Sequence, residues 1–110
     1  MQLITKEIEK AFEKQGSTHD KPSGEIKIVC KLFHPIGAGT WYLYEKLNDD
    51  VYMCFANLGD PIFAELGTVS LSELKSIKYM GLGIERDRFF KPLSKTLEEV
   101  VNIVKSGGHV

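Results

Sequence analysis

Cysteine is scarce in this chain: only Cys30 and Cys54 occur among 110 residues, and neither falls in a CxxC or mixed Cys/His spacing. That leaves no zinc-site signature, and each thiol lies in an apolar run where a small side chain packs well, so both read as reduced core residues. Positive charge is not in excess either. Lys plus Arg is 14 and Asp plus Glu is 15, a formal net charge of −1, which disfavours a broadly basic surface that would coat nucleic acid. No apolar run approaches the length of a membrane span. Met1-Gln2-Leu3-Ile4 leads straight into a charged segment, without the basic and apolar regions of a secretory leader. The expected location is the cytoplasm, with no membrane partner. Gly37-Ala38-Gly39 lacks the length and the Lys-Ser/Thr ending of a phosphate loop, and Gly81-Leu82-Gly83 does not extend to GxGxxG. His34 has the chemistry of a general base, yet no nucleophile or second histidine stands at a recognisable distance. No catalytic residue, cofactor or metal site is assigned, and the reading leans away from an enzyme.

What is present fits one domain over residues 1–110. The chain is 43% hydrophobic and 26% charged, ordinary for a protein that folds around a single core. Thr5 can cap a helix to about Gln15, with Ile8, Ala11 and Phe12 on one stripe. Residues 16–24 are small, polar and turn-forming, and read as an exposed, mobile loop. From Glu25 to His34 the period changes to two, with Ile26, Ile28, Cys30 and Leu32 pointing one way. Thr40–Glu45 and Val51–Ala56 follow as aromatic and β-branched strands around an Asn48-Asp49-Asp50 turn, and Phe63–Val69 supplies a fourth. Ser70 with Glu73, and Thr96 with Glu99, match the capping box and open two more helices, the first to about Ile77 and the second ending at Gly107-Gly108. Residues 107–110 read as a disordered tail. Strands grouped in the middle, with helices at the ends and one insert, predict an α+β fold: an antiparallel sheet of four to five strands with helices mainly on one face.

Four blocks recur together in the order of a known family: Lys31-Leu32-Phe33-His34-Pro35, Thr40-Trp41-Tyr42, Glu65-Leu66-Gly67-Thr68-Val69-Ser70-Leu71-Ser72-Glu73-Leu74 and Gly81-Leu82-Gly83-Ile84-Glu85-Arg86-Asp87. On these the chain resembles the small bacterial proteins catalogued as domain of unknown function 2958. The resemblance implies an accessory protein of a plasmid, phage or integrated element, and it supplies no activity or catalytic residue to carry over.

The densest chemistry is in Gly81 to Phe90, where Glu85, Arg86, Asp87 and Arg88 stand between glycines and two phenylalanines. Extended backbone would place the two carboxylates on one side and the two guanidiniums on the other. Carboxylates so paired could hold a hard cation, and the arginines could grip a phosphate or an acidic partner. The structural alternative is an ion-pair network bridging sheet and helices. Glu85, Arg86, Asp87, Arg88 and Phe90, with Trp41 and Tyr42, are the candidate binding residues. Three functions follow: a non-enzymatic protein that binds a host or element-encoded protein, as a monomer or homodimer; a single-stranded nucleic-acid binder stacking bases on Trp41, Tyr42, Tyr44, Tyr52 and Phe55; and a metal-dependent hydrolase in which Glu45, Glu65 and Glu73 join Glu85 and Asp87.

Overall fold

A computed structural model describes residues 2–110. Helix α1 (Lys6–Gln15) begins where Thr5 Oγ1 accepts from the Ile8 amide at 3.2 Å, and it buries Ile8 and Phe12. The meander that follows is β1 (Cys30–Phe33), β2 (Thr40–Lys46), β3 (Val51–Asn57) and β4 (Glu65–Ser70), with a 3-10 turn at Pro61–Phe63 before the last. Helix α2 (Leu71–Ser76), the hairpin of β5 (Lys78–Tyr79) and β6 (Leu82–Gly83), the short β7 (Glu85–Arg86) and helix α3 (Leu97–Lys105) complete the chain. Sheet order is β4-β3-β2-β1-β7, and every pairing is antiparallel. The α+β class read from the sequence is the class observed.

Strand alternation sorts the side chains into two apolar layers. On one face Cys30, Leu32, Trp41, Leu43, Tyr52 and Cys54 meet Ile8 and Phe12 of α1 and Leu71 and Leu74 of α2. On the other, Tyr42, Tyr44 and Phe55 meet Leu97, Val100 and Val104 of α3. Two of the three α-helices among the described residues therefore share a face, and α3 covers the opposite one. Phe12 and Tyr52 meet with ring centroids 5.1 Å apart, and Tyr42 stacks with Phe55 at 6.2 Å.

The period-two reading of Glu25 to His34 fails at one point. Ile26 and Ile28 belong to the α3 layer, whereas Val29, Cys30 and Leu32 belong to the α1 layer. The slip has a local cause. Val29 N–H donates to the Leu43 carbonyl at 2.8 Å while Cys30 also pairs with Leu43, so two residues oppose one, as in a bulge. Ahead of the slip the chain pairs instead with the approach to α3. Ile28 N–H donates to Lys95 O, Leu93 N–H to Ile28 O and Leu97 N–H to Ile26 O, and Lys27 bridges Thr96.

Local chemistry fixes the remaining joints. At α3 the capping box is complete, with Thr96 Oγ1 accepting from Glu99 N–H and the Glu99 carboxylate accepting from Thr96 N–H, each at 3.1 Å. At α2 Ser70 Oγ accepts from Glu73 N–H, but Glu73 does not reach back to close the box, and Asp50 braces the helix start instead. Asp50 accepts from Ser70 Oγ at 2.5 Å and from Ser72 N–H at 2.8 Å. The turn between β2 and β3 thereby holds the start of α2. Gln15 clamps three segments at once: its amide nitrogen donates to the carbonyls of Lys27 and Tyr44, and its oxygen accepts from Lys27 N–H. Within residues 16–24, Thr18 is buried and gives both its N–H and its hydroxyl to Glu45 Oε1, while His19 is 87% exposed. Val110 packs against the α3 layer, and its backbone oxygen accepts from Lys31 Nζ at 2.6 Å. No helix among the described residues is long and apolar enough to cross a membrane.

Candidate binding surface

The charged quartet lies on and just beyond the β7 edge. Leu32 pairs with Arg86 and Phe33 with Glu85. Because paired residues share a face, Arg86 lies on the α1 side and Glu85 on the α3 side, which is the separation that extended backbone demands. Arg86 Nη1 donates to the carbonyls of Gln2 and, at 3.3 Å, Leu3, so it ties the segment before α1 to the sheet edge. Asp87 pairs with Lys31 at 3.6 Å, and its Oδ1 accepts from Phe89 N–H at 2.9 Å. Lys31 stands 6.0 Å from the centre of the Tyr42 ring. Burial, and then the nearby Asp87 carboxylate, push the Tyr42 phenol above its usual range. Arg88 is exposed, Phe89 projects into solvent at 99% exposure, and Phe90 tucks against the α3 layer.

The structure divides the candidate set. Arg86, Asp87, Arg88 and Phe90 do border one cleft of about 250 Å3, together with Thr5 and Ile8 of the α1 end. Trp41 lies two strands away, and Tyr42 is buried on the opposite face from Trp41. Strand alternation explains the split, since adjacent residues of β2 cannot serve one surface. The proposed stacking platform does not form one open face: Tyr42, Tyr44, Tyr52 and Phe55 are buried in the two layers, and Trp41 reaches the surface only as part of a cleft lining. The acidic cluster does not assemble either. Glu65 is on β4 and Glu85 on β7, the two outermost strands, and Glu45 is engaged by Thr18. Among the described residues no group of three or more His, Cys, Asp or Glu is placed to hold a metal ion.

A second cleft, about 530 Å3, opens at the end of the sheet where β1 and β3 finish and β2 begins. Its floor is Trp41, Ile84 and His34, all buried, and its rim is Ile36, Leu58 and Tyr79. His34 holds the floor together. Its Nδ1 accepts from Gly37 N–H at 2.7 Å, so the other nitrogen carries the proton and donates to Leu82 O at 2.8 Å. This bond pins the β5–β6 hairpin to the sheet, and Tyr79 meets the imidazole edge-on at 5.8 Å. The hairpin turns on Met80 and Gly81, with φ of 52° and 80°, the paired positive values of a two-residue hairpin turn. Gly39, at φ 137°, is required by the floor: a β-carbon there would stand 2.9 Å from the Trp41 ring.

The rim is apolar and uncovered. Ile36 is 53% exposed, Leu58 65% and Tyr79 54%. Leu58 also borders the adjoining depression beside Phe63, which is 78% exposed, so the apolar surface runs on past the cleft. Of the candidate binding residues read from the sequence, only Trp41 lies in this region. The available signal was large apolar residues inside turn-forming stretches, at Pro35-Ile36-Gly37, Asn57-Leu58-Gly59 and Tyr79-Met80-Gly81, where polar residues are the rule.

Fold and surface together define a small α+β protein with an apolar cleft at one end of an antiparallel sheet. The chain belongs to the family described as protein of unknown function (DUF2958), which it matches over residues 3–110, α3 included. No curated protein and no solved structure matches it.

Proposed function

We propose that this chain is a non-enzymatic accessory protein that acts by binding another protein through the apolar sheet end. The exposed rim of Ile36, Leu58 and Tyr79 over a floor containing Trp41 carries this reading. Soluble proteins expose contiguous apolar surface chiefly where something docks, and aromatic anchors in such places supply most of the binding free energy. A small polar ligand fits the cleft poorly. Small-molecule sites orient their ligands with a few free polar groups, and the buried imidazole here already uses both nitrogens within the protein. The family resemblance, which points to mobile elements, makes a host defence or DNA-handling protein in the cytoplasm the partner class, with inhibition as the outcome.

The test is quantitative capture of a bacterial host protein by the wild type, by a Leu58→Asp, Tyr79→Asp double variant and by Arg88→Ala. Wild type and Arg88→Ala should retain the same protein, and the double variant should lose it at least tenfold while keeping its fold by circular dichroism. Equal capture by the double variant would overturn the reading.

A further inference from the structure

We propose that β4 is a dimerisation edge: two copies of this chain pair antiparallel along β4 about a two-fold axis at Gly67, joining their five-stranded sheets into one. The surface is separate from the cleft, and the inference stands without the binding role proposed for it.

The argument begins with which backbone groups are free. β4 pairs with β3 through six residues in unbroken register, Glu65 with Ala56 to Ser70 with Val51, and has no strand on its other side. Leu71 N–H donates to Asp50 O, continuing the ladder, and Val51 O accepts from Leu47 on the far side of β3. Antiparallel pairs alternate between bonded and non-bonded. Residues 65, 67 and 69 therefore turn their N–H and C=O groups to β3, and Leu66, Thr68 and Ser70 turn theirs outward. Leu66 and Thr68 make no backbone hydrogen bond to any other described element.

Free edges in soluble proteins are normally guarded by lysine, proline, a bulge or a covering segment. β4 has none of these: Glu65-Leu66-Gly67-Thr68-Val69-Ser70 carries one charge, at its start, and no register shift. Leu66 is 54% exposed, and a β-carbon at Gly67 would have nothing within 4 Å. Outward N–H and C=O groups at this alternation are matched by another extended strand and by little else.

A second copy satisfies the chemistry of that strand. An axis at Gly67 sets Leu66 opposite Thr68 of the other copy in bonded pairs, and it brings the two glycines together where strands approach most closely. It also sets Glu65 opposite Val69, so the only charge on the strand never faces itself. Two-fold pairing of one surface with itself is the commonest form of association between identical chains.

Light scattering after size exclusion should give wild type at twice the 12.4 kDa chain mass. Thr68→Pro should give one chain mass with its fold intact by circular dichroism, because the lost N–H points outward and an edge strand tolerates proline there. Gly67→Cys should form a disulfide-linked dimer on mild oxidation, since non-bonded antiparallel pairs bring β-carbons within bridging reach. Lys10→Cys, exposed on α1, is the control for random collision. Wild type at one chain mass over a hundredfold concentration range, Thr68→Pro at twice the mass, or Gly67→Cys that oxidises no faster than Lys10→Cys would each overturn the proposal.

Discussion

The two edges of the sheet are opposites. The β7 edge is two residues long, carries Glu85 and Arg86, and has its chemistry engaged within the molecule, with Arg86 on the carbonyls of Gln2 and Leu3 and the neighbouring Asp87 on Lys31. The β4 edge is six residues long, carries one charge, and presents Leu66 and Thr68 to solvent. Charge here serves cohesion, whereas the surfaces left uncommitted are apolar side chains and bare backbone. A dense run of ions in a sequence is thus no sign by itself of an uncommitted surface, because ions close to a sheet lower their energy by pairing with whatever is nearest.

Removing side chains at graded depth beneath the β7 edge tests that contrast. Leu32 is fully buried beside Arg86 in the same sheet row, so Leu32→Ala should lower stability by about 2–5 kcal/mol in a denaturant melt. Leu58→Ala, on the open rim, should stay within about 0.5 kcal/mol of wild type. Next in size, Arg86→Ala should cost about 1–3 kcal/mol by stranding carbonyls that a charged donor now satisfies. Arg88→Ala should cost nothing measurable in the same melt. Equal effects of the two arginine substitutions would remove the distinction between a tether and a surface charge.

The thiols give a pH-dependent test of the α1 layer. Burial pushes Cys30 from 9.0 to about 12 and Cys54 from 9.0 to about 11. Both folded values lie above the unfolded one, so their contribution is intact below pH 9 and declines as the pH rises from there, ending at about 11 for Cys54 and about 12 for Cys30. A thiol reagent at pH 8 should react only with protein that has unfolded, and the alkaline limb of the stability curve should flatten in Cys30→Ala. Rapid labelling of the native protein would show the layer to be open.

A small effect is expected at acid pH. Hydrogen bonds from Ser70 and Ser72 hold the Asp50 carboxyl below its ordinary 3.8, and those from Thr96 hold Glu99 below its ordinary 4.5. Depressed values place the contribution above the ordinary pKa and remove it as pH falls through the folded one. Asp50→Asn should therefore flatten the acid limb of a thermal melt series slightly while changing the neutral-pH value less than Arg86→Ala does.

Much of the fold was legible because it is written in short-range chemistry. Thr5, Ser70 and Thr96 each cap a helix where their spacing to the following residues predicts it, and the aromatic strands alternate from Trp41 to Tyr44 and from Tyr52 to Phe55 as their period requires, up to a register shift between Leu43 and Glu45. The places that resisted are those where distant segments decide. The bulge at Val29 and Cys30 depends on where Leu43 sits. Asp50 displaces Glu73 because a turn happens to abut α2. The fifth strand, β7, is two residues that pair only because the β1 edge is open to them. The cleft was illegible for the same reason: Ile36, Leu58 and Tyr79 come from three separate turns, and no local pattern announces that turns will converge. Trp41 was the single candidate binding residue of that surface named beforehand, and Tyr42 beside it lies on the other face because adjacency in sequence is opposition in a strand.

The strand order β4-β3-β2-β1 has a consequence for biogenesis. Each neighbouring pair in that run is also consecutive along the chain, so a nascent polypeptide can zip the meander together as it leaves the ribosome, closing only short loops. The helix that shields Tyr42, Tyr44 and Phe55 is encoded last of the helices. One greasy side of the growing sheet therefore stays wet until residues 97–104 emerge, and that interval is when a chaperone has most to grasp.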